Sequence, residues 1–262
     1  MATFYSLTSL RTASSLTLLG ILSLSLWSRA VAAESATNVA TWTINEFMRA
    51  QKVFLADTNN VTNGCQFARA AFELAESATN DTSRAKIARQ GIAASQSALA
   101  RDAKSGPAHY YLAMNFGELA QAEAPSLAAY RLVHEVEHEF KVAAELDEKF
   151  DRAGPARNLG ALYFQAPGWP LSVGSKKKAR EWFVRAAVLE PDYPENQINL
   201  AEAHLRWRER AEAEKALKAL ERLWPAVLTN FPGVEWEKLR TEWGQRRAET
   251  RASFKKIYQA EP

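Results

Sequence analysis

Between Ala179 and Pro191 the chain reads Ala-Arg-Glu-Trp-Phe-Val-Arg-Ala-Ala-Val-Leu-Glu-Pro. At ~100° per residue, Ala179, Phe183 and Ala186 share one helical face, and Pro191-Asp-Tyr-Pro194 stops the helix. Two helices approach closely only where a facing side chain is nearly absent, so this face is built for a neighbour. The next segment opens at Asn196-Gln197 and carries Leu200-Ala201, whose second residue is small, and a ring at His204. A helix that stops, turns and restarts with matched small and aromatic positions is half of a repeating helical hairpin.

The same pattern can be followed along the chain. Ser95-x2-Ala98 leads through Asp102 and Gly106-Pro107 to His109, Leu112-Ala113 and Phe116. Val136-x3-Phe140-x2-Ala143 leads through Asp147 to Asn158-Leu159-Gly160-x2-Tyr163, and Ala213-x3-Leu217-x2-Leu220 closes the last copy. From Ala98 to Ala143 is 45 residues, from Ala143 to Ala186 is 43, and from Ala186 to Leu220 is 34. Two units therefore carry roughly ten extra residues each, both placed between the first and second helix of a hairpin, so both project from one edge of the stack. The first insertion, near Ala120 to Arg131, has helical composition and should lengthen a second helix. The second, Ala166-Pro-Gly-Trp-Pro-Leu-Ser-Val-Gly-Ser175, is a loop around an isolated Trp169. A tryptophan there either folds back onto the repeats or contacts a partner.

The apolar spacing of three and four residues persists through nearly the whole chain, and little of it reads as strand. It predicts helices near 40–56, 65–78, 81–104, 107–121, 125–148, 154–165, 176–190, 194–207, 210–223 and 234–258. The expected fold is all-α, a right-handed solenoid of helical hairpins. The Trp-rich tail, with Trp224, Trp236 and Trp243, leaves the repeat. It is expected to end in a capping helix with Lys238, Arg240, Arg246, Arg247 and Arg251 on its wet side, because an open solenoid must cover its last stacking face.

Residues 1–33 read as a cleaved signal peptide: Arg11, an apolar run from Leu16 to Trp27, and small residues at Ala30-Val31-Ala32-Ala33. Cleavage after Ala32 and after Ala33 both fit. No cysteine follows the run to carry a lipid, and the run is short for a membrane span. The expectation is a periplasmic or secreted protein without a membrane span after cleavage, folded as one domain over 34–262. Within it lie N-terminal helices at 34–80, interrupted repeats at 81–224 and the cap at 225–262. Losing Arg11 and Arg29 lowers the formal charge from +3 to +1, which excludes the concentrated basic field of a nucleic-acid surface. Cys65 stands alone, so no intramolecular disulfide forms, and its apolar neighbours Phe67, Ala68, Ala71 and Phe72 place it inside a helix face.

One stretch has catalytic form. His134-Glu135-Val136-Glu137-His138 matches H-E-x-x-H, in which two histidines one turn apart bind zinc and the glutamate activates water. The register set by Ala129, Leu132, Val133, Val136, Phe140 and Ala143 turns both histidines away from the packing face, and no edge strand is available to hold a substrate. A metal-dependent hydrolase using His134, Glu135 and His138 is therefore the alternative reading. The preferred reading is a protein that is not an enzyme and needs no cofactor or metal.

The hairpins resemble tetratricopeptide repeat proteins over about residues 80 to 224. More narrowly, Tyr163-x3-Pro167-Gly-Trp-Pro-Leu-x2-Gly-Ser175-Lys-x2-Ala179 followed by Pro191-Asp-Tyr-Pro-Glu-Asn196 is similar to exported bacterial repeat proteins, including the T-component family associated with TRAP transporters. The resemblance implies a non-catalytic interaction or ligand-handling module that assembles with an exported partner, such as a periplasmic solute-binding protein. It also implies a groove formed by the first helix of each hairpin. Tyr110, Met114, Arg157, Gln165, Glu202 and Arg206 would line that groove, with Trp169 at its edge. Self-association of the chain stays open.

Overall fold

The structure, a computed structural model, describes residues 24–262, with side chains from residue 40 onward. The signal-peptide expectation falls on residues outside this description, apart from the backbone that begins the first helix. The helices are α1 (Leu24–Ala56), α2 (Val61–Glu76), α3 (Asp81–Leu99), α4 (Gly106–Ala122), α5 (Leu127–Leu146), α6 (Phe150–Gln165), α7 (Lys176–Leu189), α8 (Pro194–Arg206), α9 (Arg210–Leu223), the single turn α10 (Val227–Asn230) and α11 (Glu237–Tyr258). Among the described residues there is no strand.

Local chemistry sets where these helices begin. Asn60, Asn80, Ser105, Ser126 and Ser175 each accept a backbone N–H from three residues on, at 2.8–3.4 Å, which satisfies a donor the first turn leaves free. Asn60 therefore starts α2 four residues earlier than the apolar pattern alone suggests. At the other end, α3 stops at Leu99 rather than near 104, where the Asp102 carboxylate takes the Lys104 N–H at 2.9 Å and fixes a turn. Regular turns of α6 begin at Gly154, as the sequence predicts. Asp151, Arg152 and Ala153 just before it are left-handed, with φ of 49°, 58° and 60°. Pro155 explains the break, because its ring would clash with the carbonyl of Asp151 in a continuous helix.

The helices pair as hairpins α2–α3, α4–α5, α6–α7 and α8–α9, with α1 packed on α2. Their seams are the small and aromatic positions of the repeat: Ala98, Ala143, Ala186, Phe140, Phe183 and Ala201 are all buried. Gly160 shows why the second small position matters, since a Cβ there would collide with the Phe183 ring. The first insertion lengthens α5 to 20 residues against 14 for α7.

The tail departs from expectation. α11 does not keep its basic residues on a wet side. Trp243 stands beside Tyr193 at the start of α8, and Phe254 joins the cluster of Ala201, Leu205, Ala213 and Leu217 at its end, so the two helices run side by side. Arg246 reaches into α8, and Lys238 reaches α2 at the far end of the stack, where its Nζ lies 2.6 Å from Glu76. Lys238 and Arg246, which look like part of a solvated face on a helical wheel, instead bind the first-helix row that the groove reading left open. Arg247 and Arg251 pair with Glu221 on α9, and Arg240 holds the Phe231 and Gly233 carbonyls. Once cations have carboxylate partners in tertiary structure, a wheel no longer tells wet from dry.

Candidate functional site

The row of first helices carries a chain of buried polar groups. Tyr110 on α4 donates to Asp151 Oδ2 at 2.7 Å, and Asn158 on α6 donates to the Tyr110 hydroxyl at 3.0 Å while its Nδ2 lies 3.3 Å from Met114 Sδ. Arg157 is fully buried. Its Nη1 donates to the Arg152 carbonyl at 2.8 Å and its Nη2 to that of Asp151 at 3.2 Å, which pins the left-handed turn before α6. Its other face meets Glu195 at 3.4 Å and the Tyr193 ring at 4.8 Å. Burial alone would lower the Arg157 pKa, but the surrounding Tyr193, Glu195, Tyr110 and Asp151 raise it. For Tyr110, burial and the nearby Asp151 charge push the phenol well above its usual value.

These contacts correct three of the expected groove residues. Tyr110, Met114 and Arg157 are buried and touch their own fold. The expectation assumed that the inner face of each first helix meets solvent, whereas these three positions face the neighbouring first helices and the turn before α6. Glu202 is half-buried and accepts two N–H groups from Arg246, at 3.0 and 2.7 Å. Arg246 also reaches Asn199 Oδ1 at 2.6 Å and Glu195 at 3.3 Å. Burial would lower its pKa, and Glu202 and Glu195 outweigh that and raise it. Further along the row, burial and the charge of Glu76 push Glu118 up to about 8, against the downward pull of Arg84 and Lys238.

The remaining expected residues lie at the edge where the hairpins turn. Gln165 is half-buried at the end of α6. Arg206 is exposed, with its guanidinium 4.8 Å from the Phe164 ring. Trp169 does not fold back: it is 89% exposed at the tip of its loop. The loop is nevertheless closed at its neck. Gly174 N–H donates to the Pro167 carbonyl at 2.9 Å and Ser175 N–H to that of Tyr163 at 2.9 Å, and a Cβ on Gly174 would collide with the Ala166 carbonyl oxygen. Val173 packs on the core while Leu171 points out, 64% exposed.

His134 and His138 lie exposed on α5, on the side the register places them. Among the described residues, no group of three His, Cys, Asp or Glu side chains is placed to hold a metal. Glu137 is taken up structurally, accepting from Lys141 at 2.7 Å and from Tyr163 at 2.6 Å. Burial would raise its pKa, but these hydrogen bonds and the nearby lysines bring it below the ordinary range. His109 sits against Glu139 and the Ala103 carbonyl, and His204 against Glu209 at 2.8 Å. Cys65 is buried 3.8 Å from the Ser105 hydroxyl, and burial raises its thiol pKa, which disfavours the reactive thiolate.

Sequence reasoning missed several exposed apolar residues. Val184 and Val188, one turn apart on α7, are 43% and 73% exposed, and Leu127 and Tyr130 stand exposed at the α4–α5 turn. A signal was present, because Val184 and Val188 recur four apart on the side of α7 opposite Ala179, Phe183 and Ala186.

No protein-family profile and no curated protein matches the chain. Among solved structures it is similar to a thermophilic TPR protein of Thermus thermophilus, with a TM-score of 0.57 and 15% identity over 80% of this chain and 97% of that one. The architecture is thus that of a tetratricopeptide-like helical solenoid. At that identity the likeness speaks to the fold.

Proposed function

We propose that this protein is an exported, non-catalytic scaffold that binds a partner protein, with a periplasmic solute-binding protein of a TRAP-type transporter as the partner class. The observation that carries the scaffold reading is the outer face of α7. Val184 and Val188 form an exposed apolar pair on a helix whose other side is locked into its hairpin, and Gln165 and Arg206 lie accessible at the neighbouring hairpin turns. The first-helix row is engaged by α11 and the buried polar chain, so the partner surface lies on the outside and at the turns. Export rests on the signal-peptide composition of residues 1–33, and the transporter setting on the motif resemblance from Tyr163 to Asn196.

The test has two arms. Capture of exported proteins on the immobilised chain is expected to yield a specific partner that is lost with Val184→Glu and Val188→Glu together, while the thermal midpoint stays unchanged. Capture that ignores both substitutions would place binding elsewhere. Calorimetric titration with a purified solute-binding protein from the same organism is expected to give saturable heat; absence of heat, alongside capture of some other partner, removes the transporter setting and leaves the scaffold.

A further inference from the structure

The Trp169 loop and its surroundings also suit a surface that is not a folded protein. The loop is convex: Trp169 and Leu171 project from a neck closed by backbone hydrogen bonds, with Val173 anchoring the base. Around the base stand Lys176, Lys177 and Lys178 at the start of α7, Arg180 one turn on, and Arg206 at the end of α8. Trp207 and Phe164 tie this group together: Lys176 and Arg180 each lie 5.3 Å from the Trp207 ring, and Arg206 lies 4.8 Å from Phe164. Glu209 answers Lys176 and Arg180, Glu137 lies 3.5 Å from Lys178, and Glu181 is exposed nearby. Five cations thus face three carboxylates, and Lys177 and Arg206 make no ion pair among the described residues. The preceding hairpin turn lies on the same edge and adds exposed Leu127 and Tyr130.

We infer that this edge docks the protein peripherally onto an anionic membrane surface, with Trp169 and Leu171 entering the headgroup region and the cations lying over the lipid phosphates. A protruding indole needs a matching pocket in a protein partner, whereas a bilayer accepts any protrusion. Tryptophan favours the membrane interface because its ring is apolar and its N–H is polar. Cations close to an anionic leaflet add attraction that fades within a Debye length. Because the loop is closed before contact, little conformational freedom is lost on docking. The inference goes beyond the scaffold reading and does not depend on it, since the vesicles used to test it contain no protein.

The experiment is flotation of the full chain with vesicles of phosphatidylcholine alone and with vesicles rich in phosphatidylglycerol. The readout is the difference between the two, compared between parent and variants, because residues 1–33 carry Arg11 and Arg29 and favour the anionic vesicles equally in all of them. The expected result is an excess on the anionic vesicles that disappears in high salt. Trp169→Ala with Leu171→Ala should remove most of the excess, and Lys177→Glu with Arg206→Glu should lower it about tenfold or more. These four side chains lie at the loop and its exposed margin, so the variants should melt like the parent, which circular dichroism checks. Equal binding to both vesicle types overturns the inference. So does an excess that the loop substitutions leave unchanged, or a loop variant that loses a protein partner while keeping the full anionic excess.

Discussion

Trp243 and Trp169 each belong to a segment rich in lysine and arginine, yet one is 1% and the other 89% exposed. Trp243 lies in a nest of rings, 5.2 Å from Tyr193 and 5.3 Å from Phe231, and its helix is fastened to α8 and α2 by Arg246 and Lys238. Trp169 stands on a loop anchored to the core by Val173. The cations beside Trp243 meet Glu195, Glu202 and Glu76 from distant parts of the chain, whereas those beside Trp169 outnumber their acids. Equivalent chemistry becomes structure in one place and free surface in the other, and carboxylate placement makes the difference.

Truncating the two tryptophans should break the comparison most sharply. Trp243→Ala is expected to cost about 3–5 kcal/mol in urea unfolding, because it removes a buried ring that its neighbours cannot replace. Trp169→Ala should change stability by no more than about 0.5 kcal/mol. Similar losses at both sites would mean that the loop is part of the core.

The next contrast concerns charge. Arg246→Ala takes one of two arginines from the buried Glu195, leaving Arg157, and removes the partner of half-buried Glu202, so it should cost about 3 kcal/mol. Arg185→Ala, which frees the exposed Glu148 and uncovers one face of the Trp182 ring, should cost less than about 1 kcal/mol in the same assay. Equal costs would show that α11 is held by its rings alone.

The remaining contrast is in pH dependence. Glu118 titrates at about 8 when folded against an ordinary value of 4.5. The folded state therefore holds this proton more tightly, and the contribution is full below about 4.5 and lost as pH rises through about 8. Glu242, raised to about 6 by burial, adds a loss of the same sign at lower pH. Unfolding measured between pH 6 and 9 should show stability falling in the parent and falling less in Glu118→Gln. An unchanged slope in the variant would remove Glu118 as the cause.

The hairpin order was legible because each contact that makes a hairpin lies between neighbours in sequence. Ala98, Ala143 and Ala186 are buried where the repeat puts them, and His134 and His138 are exposed where the register of α5 puts them. The caps sharpened the ends: Asn60 moved the start of α2, and Asp102 stopped α3 early. The candidate site was less legible. Arg157 looks like a groove cation on its own helix, and only Asp151, Tyr193 and Glu195 together show that it is an interior brace. Lys238 looks like a surface residue until Glu76 is brought to it.

By itself, then, the sequence determined the helices, their pairing, the two insertions on one edge and the turned-away histidines. All of these follow from local periodicity and capping, which act within a few turns. Tertiary structure decided that α11 lies along the first helices, that Tyr110, Met114 and Arg157 are interior, and that Trp169 is free. Burial of a long polar or aromatic side chain depends on which distant partner reaches it, and no helical period records that.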